Sequence, residues 1–214
     1  MTGTKGAAVR VKICGITRLE DALAAGAAGA DAIGLVFADS SPRRVSTARA
    51  REIVAALPPF ATAVGVFGRA PAARVREVAR EAGLAVVQVH GEEAALELLS
   101  RPEGLVVIPA VRIGVAADSE RLARFAGARA ILCDSAARSD REGGTGVPFP
   151  WEWLEGVPRP APLVLAGGLT PENVAAAVRR VRPYAVDVST GVESAPGAKD
   201  RSRVAAFVAA AKGA

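Results

Sequence analysis

Apolar residues gather in eight short blocks along this chain, each nearly continuous rather than alternating with polar positions. The blocks are "VRVKIC" (Val9–Cys14), "AIGLVF" (Ala32–Phe37), "TAVGVF" (Thr62–Phe67), "AVVQVH" (Ala85–His90), "LVVIPAV" (Leu105–Val111), "ARAILCD" (Ala128–Asp134), "PLVLAGG" (Pro162–Gly168) and "YAVDVST" (Tyr184–Thr190). Between them the chain is alanine-rich and helical in spacing. Helices are predicted over Leu19–Ala28 and over Thr47–Leu57, the latter with Thr47 as N-cap and Pro58-Pro59 as its stop. A third has Pro71 in its first turn and Gly83 past its end, and two more cover Pro171–Arg180 and Arg201–Lys212.

Continuous apolar strands alternating with helices indicate a parallel sheet, covered on one face and packed on the other. Right-handed crossovers then leave two closures, an open doubly wound sheet or a (β/α)8 barrel. The 214 residues divide into eight units of about 27 each, which favours the barrel. No linker or composition shift divides the chain. The reading is an α/β protein, a single-domain (β/α)8 TIM barrel over residues 1–214, with 1–8 a short N-terminal extension.

That architecture gives the polar residues a shared position. Cys14, His90, Asp134 and Asp187 stand at or near the C-terminal ends of their blocks, and Arg43 follows the second. In a barrel all these ends converge on one mouth, where active sites lie. Each has a plainer reading alone: Cys14 as an inert buried thiol, Asp134 as a loop cap, His90 as a helix-entry hydrogen bonder, Asp187 as a satisfied structural carboxylate. Five such groups on one rim indicate a site. Small-residue loops follow the seventh and eighth blocks, with Gly167 and Gly168 in "AGGLTPENV" and Ser189, Thr190 and Gly191 in "VSTGVE". Backbone amides in such loops cradle phosphate, and barrels bind phosphate between these two units.

A thiol and a carboxylic acid across a phosphate-binding mouth suit paired proton transfer. The thiol must then be partly ionised and the aspartate must hold its proton near neutrality, which are opposed requirements. Lys12 lies on the same pleat as Cys14 and is a possible helper. Composition narrows the alternatives. One histidine and two cysteines, Cys14 and Cys133, give no zinc set and no disulfide framework. The net charge of +5 is spread along helices with few aromatics, so no nucleic-acid partner is expected. No apolar run reaches the roughly eighteen residues of a membrane helix, and no secretory signal precedes the first block, so a cytoplasmic protein without a membrane partner is expected. A redox pair of Cys14 and Cys133 is disfavoured, because their side chains should enter different compartments.

Taken in order, "VKICGIT", "EDA", "GADAIGLVF", "SPRRVS", "AVGVF", "VQVHGEE", "ILCDS", "GGTG", "FPWEWL", "LAGGLTPENV", "RPYAVDVSTGVE" and "PGAKD" resemble the phosphoribosylanthranilate isomerase family of tryptophan biosynthesis, from about Val9 to the final helix. The resemblance implies conversion of the phosphosugar N-(5′-phosphoribosyl)anthranilate to 1-(2-carboxyphenylamino)-1-deoxyribulose 5-phosphate by an Amadori rearrangement, with no cofactor and no metal. It implies Cys14 as general base at C2′ and Asp134 as general acid at the ring oxygen. Arg43 would bind the anthranilate carboxylate, His90 and Asp187 would line the pocket, and Gly167, Gly168, Ser189, Thr190 and Gly191 would form the phosphate loops. The family includes monomers and homodimers. Departures from its pattern are Cys133, expected to point away from Asp134, and Ala38, in place of a frequent aromatic. The segment 135–146, "SAARSDREGGTG", is expected to be a flap. A related phosphopentose isomerase is the rival enzyme reading, though a sugar isomerase of that kind would place an aspartate base where Cys14 stands.

Overall fold

The computed structural model describes residues 8–136 and 148–214, so most of the expected flap lies outside the described residues. Eight parallel strands close into a barrel in sequence order: β1 (Arg10–Cys14), β2 (Ala32–Val36), β3 (Thr62–Phe67), β4 (Val86–Val89), β5 (Val106–Ile113), β6 (Ile131–Ser135), β7 (Leu163–Leu165) and β8 (Ala185–Val188), with β8 pairing back to β1. The (β/α)8 closure is thereby settled against the open sheet. An antiparallel pair, β9 (Glu193–Ala195) with β10 (Ala198–Lys199), follows β8. Nothing in the hydrophobic pattern announces that pair.

The surrounding helices are α1 (Leu19–Ala27), α2 (Thr47–Ala56), α3 (Ala72–Ala82), α4 (Glu92–Ser100), α5 (Val174–Val181) and α6 (Arg201–Lys212). Their ends have local causes. Ser46, not Thr47, caps α2, its hydroxyl accepting from the Arg49 amide at 3.1 Å. Pro71 precedes α3 with its fixed φ, and Gly83 closes it in the left-handed region at φ 71°. Asp200 caps α6 by accepting from the Ser202 and Arg203 amides. Among the described residues, Ala116–Phe125 after β5 and Trp151–Leu154 after β6 are 3₁₀ segments rather than α-helices. The α5 helix starts at Val174, three residues later than predicted, because Pro171–Asn173 form a turn.

Strand parity divides the core. Val11, Ile13, Ile33, Leu35, Val87, Ile131 and Leu165 point outward into the layer shared with the helices. There Ala22, Ala25, Ala50, Ala79 and Ala177 are fully buried, their small side chains letting helices lie close on the sheet. The inner face carries two separate apolar groups, one of Ala110, Ala130, Leu132, Val164, Ala166 and Ala185, the other of Cys14, Val36 and Val66. Cys133 belongs to the outer layer and Cys14 to the inner one, so the two thiols are not a pair.

Candidate active site

Every sequence-predicted site residue lines one cavity at the C-terminal end of the barrel: Cys14, Arg43, His90, Asp134, Gly167, Gly168, Asp187, Ser189, Thr190 and Gly191. Gln88, Arg112 and Ala38 share it. Cys14 and Asp134 thus face the same space, from β1 and β6.

Beneath the mouth runs a buried polar chain. Lys12 and Asp187 are register partners on β1 and β8, and the Lys12 ammonium donates to Asp187 Oδ1 at 3.0 Å and to Gln88 Oε1 at 3.0 Å. With Gln88 Oε1 so occupied, its amide NH2 faces His90 Nε2 at 2.9 Å, and the imidazole nitrogen accepts. The remaining His90 proton then resides on Nδ1, a buried atom with no hydrogen-bond partner among the described residues. Burial, then the positive charges of Arg112 and Lys12, lower the imidazole to about 4, so His90 is neutral. Gly34 makes room for this arrangement. A Cβ there would sit 2.7 Å from Cys14 Sγ and 3.2 Å from Lys12 Nζ, so thiol and ammonium share one niche.

The two proton-transfer candidates depart from their ordinary values in one direction. Burial, reinforced by the charge of Asp187, pushes the Asp134 carboxyl up to about 6. Arg112 opposes this without forming an ion pair with it. Burial also raises the Cys14 thiol; Lys12 and Lys199 pull it down and Asp187 adds to the rise. The requirement of a lowered thiol is therefore not met by the protein alone, although Lys12 supplies the expected help. Cys133, buried on the outer face, is pushed up to about 12 and is inert.

Arg43 is committed more fully than the sequence suggests. Its Nε and Nη2 donate to the two Glu193 oxygens at 2.8 and 2.7 Å, and Glu193 also accepts from Lys199 at 2.8 Å. Those hydrogen bonds outweigh burial and hold the Glu193 carboxyl below its usual range. The β9–β10 pair that carries Glu193 and Lys199 is itself tied down: Asp21 of α1 accepts from the Lys199 amide at 3.0 Å, and Thr17 donates to the Gly197 carbonyl at 2.6 Å. Arg43 Nη1 makes no hydrogen bond among the described residues, and Arg43 lines the cavity.

The two glycine loops are packed against their neighbours by backbone approach. Gly167 and Gly168 have φ 88° and 64°. A Cβ on Gly167 would strike the Ser135 amide, and one on Gly191 would strike the Leu169 carbonyl. Glycine is thus required where the loops after β7 and β8 meet.

Sequence reasoning missed Gln88, Arg112, Glu193 and Lys199. For Arg112 a signal existed: β5 runs to Ile113, and Ile108, Ala110 and Arg112 are successive inward positions.

A family profile described as N-(5'phosphoribosyl)anthranilate (PRA) isomerase matches residues 11–210. The chain is similar to the N-(5'-phosphoribosyl)anthranilate isomerase of Pseudomonas aeruginosa (strain LESB58), 52% identical over 208 residues and covering 96% of each protein. Among solved structures it resembles monomers generated from the dimeric phosphoribosylanthranilate isomerase of Thermotoga maritima, with TM-score 0.86 and 40% identity over 96% of this chain and 100% of that one. It also resembles a phosphoribosyl anthranilate isomerase in complex with reduced 1-(o-carboxyphenylamino)-1-deoxyribulose 5-phosphate, with TM-score 0.82 and 41% identity over 96% of this chain and 100% of that one.

Proposed function

The chain belongs to the N-(5'-phosphoribosyl)anthranilate isomerase family of tryptophan biosynthesis, and from that premise we propose that it performs the Amadori rearrangement with Cys14 as general base and Asp134 as general acid. Asp134 gives its proton to the furanose ring oxygen as the C1′–O bond breaks and the anthranilate nitrogen forms a Schiff base with C1′. The Cys14 thiolate then takes the proton from C2′, and the resulting enolamine becomes the ketose by losing the C2′ hydroxyl proton and gaining one at C1′. No atom is gained or lost overall, so the step needs no redox partner.

The observation that carries this reading is a half-buried carboxyl facing the same cavity as a thiol with an ammonium beside it, with desolvation pushing that carboxyl up to about 6. The reactive form is thiolate with carboxylic acid, the less populated of the two singly protonated states. Lys12, seated by Asp187 and Gln88, favours that form by attracting negative charge onto Cys14 Sγ. Arg43, held by Glu193, offers its free guanidinium edge to the anthranilate carboxylate. The amides of Gly167, Gly168, Ser189, Thr190 and Gly191 receive the phosphate. His90, neutral and held by Gln88, is a wall of the pocket and not its base.

The test is turnover of N-(5′-phosphoribosyl)anthranilate by the purified protein and by Cys14→Ala and Asp134→Asn. Both variants should bind the product analogue yet fail to turn over. Near-normal kcat in Cys14→Ala would remove the base from the scheme.

A further inference from the structure

The substrate carries two anions, a phosphate and an aryl carboxylate, and the cavity's cations are not equally free to meet them. Lys12 is paired with Asp187, and Lys199 and Arg43 with Glu193. Of these cations only Arg43 lines the cavity, together with Arg112, which among the described residues makes no hydrogen bond or ion pair; its charge is felt only at a distance, by His90 and Asp134. An Arg so unpaired beside a half-buried acid is otherwise a cost to the site, since it opposes the protonation that Asp134 needs.

The side chain is also well placed. It enters the mouth from the last inward position of β5, and Arg112 and Asp134 are register partners. The chain leaving β5 is pinned, because the Gly114 and Val115 amides both donate to Asp118 Oδ2, at 2.8 and 3.0 Å. The guanidinium therefore stands on a fixed base next to the group proposed to protonate the ring oxygen. In the substrate, the aryl carboxylate is ortho to the nitrogen on C1′, the carbon bonded to that oxygen. A cation adjacent to Asp134 is within the neighbourhood that the carboxylate occupies.

We propose that Arg112 is a specificity-determining residue of this pocket, receiving the aryl carboxylate of the substrate on the Asp134 side through its open guanidinium fork. The assignment rests on the function proposed above and extends it from one arginine to two. A carboxylate there also cancels the positive charge that faces Asp134, so binding of the correct substrate favours the protonated acid. A substrate without that carboxylate would leave Arg112 uncompensated and Asp134 more readily ionised.

The experiment pairs the residue with the ligand group. Dissociation constants are measured for reduced 1-(o-carboxyphenylamino)-1-deoxyribulose 5-phosphate and for its phenylamino counterpart lacking the carboxylate, on the wild type, Arg112→Gln and Arg112→Lys, with thermal melts to confirm folding. The wild type should prefer the carboxylated ligand. In Arg112→Gln that preference should shrink about tenfold or more while the phenylamino ligand binds nearly as before, and Arg112→Lys, which keeps charge but loses the fork, should fall between. An unchanged preference in Arg112→Gln, or equal loss for both ligands, overturns the assignment and leaves the function standing. Failure of the wild type to bind the carboxylated ligand overturns the reading of the whole pocket, and Arg112 with it.

Discussion

Outside the sheet, Val11, Ile13, Ile33 and Leu98 lie in a continuous apolar layer with buried alanines of the helices. Inside it, Lys12, Gln88 and Asp187 are also buried, yet they are polar, and Lys12 is bonded to both of the others. The first layer gains stability from every atom removed from water. The second keeps charges and an un-ionised carboxyl out of water, which costs stability unless each is partnered. Burial of apolar surface and the chemistry proposed for Cys14 and Asp134 thus fall on opposite faces of the same strands.

Removing either inner group proposed to react should separate the two layers most sharply. Cys14→Ala and Asp134→Asn are each expected to lower kcat by 10³-fold or so with an unaltered circular dichroism spectrum. A folded but fully active variant would break the division. The converse change is Leu98→Ala in the outer layer, at a side chain with no exposure. It should cost about 2–5 kcal/mol of unfolding free energy while kcat of the folded protein stays the same.

A subtler effect reveals the cost of the inner layer directly. The Asp134 carboxyl, ordinarily near 3.8, stands at about 6 in the folded protein. Between those values the fold retains a proton that the unfolded chain has released, so this group's contribution is intact below about pH 4 and is lost as pH rises through 6. Asp134→Asn should therefore be more stable than the wild type at pH 8, by something on the order of 2 kcal/mol, with no gain at pH 4. Denaturant melts at the two pH values measure it, and equal effects at both would contradict it. The smallest expected change is Glu193→Gln, which loosens the seat of Arg43. KM should rise several-fold with kcat little altered, as read from steady-state kinetics.

Much of this was legible before any coordinates. Cys14, His90, Asp134 and Asp187 end or nearly end their apolar blocks, and eight blocks in a barrel bring such ends together. Parity alone put Lys12 beside Cys14 and Cys133 behind the wall. Other features depend on closure. Lys12 and Asp187 are 175 positions apart, and Arg43 and Glu193 are 150 apart, so no local pattern joins them. The rise of the Cys14 thiol follows from burial that only the assembled cylinder produces. Arg112 is a different case: ending the fifth block at Val111 hides it, although the strand continues and its inward period does not change. The 3₁₀ segment after β5 does bury Ser119, Leu122 and Phe125 at three-residue spacing, the repeat of a 3₁₀ helix, and the one after β6 is only four residues long, too short for a periodic signal.

The strap formed by Thr17, Asp21, Gly197 and Lys199 has a bearing on synthesis. Arg43 is made early and Glu193 late, and the strap fastens the late segment to the first loop of the chain. Until residue 193 has been added and folded back, the carboxylate that seats Arg43 is absent. The seat of Arg43 thus joins an early-made and a late-made part of the chain, and it closes only once that strap is fastened.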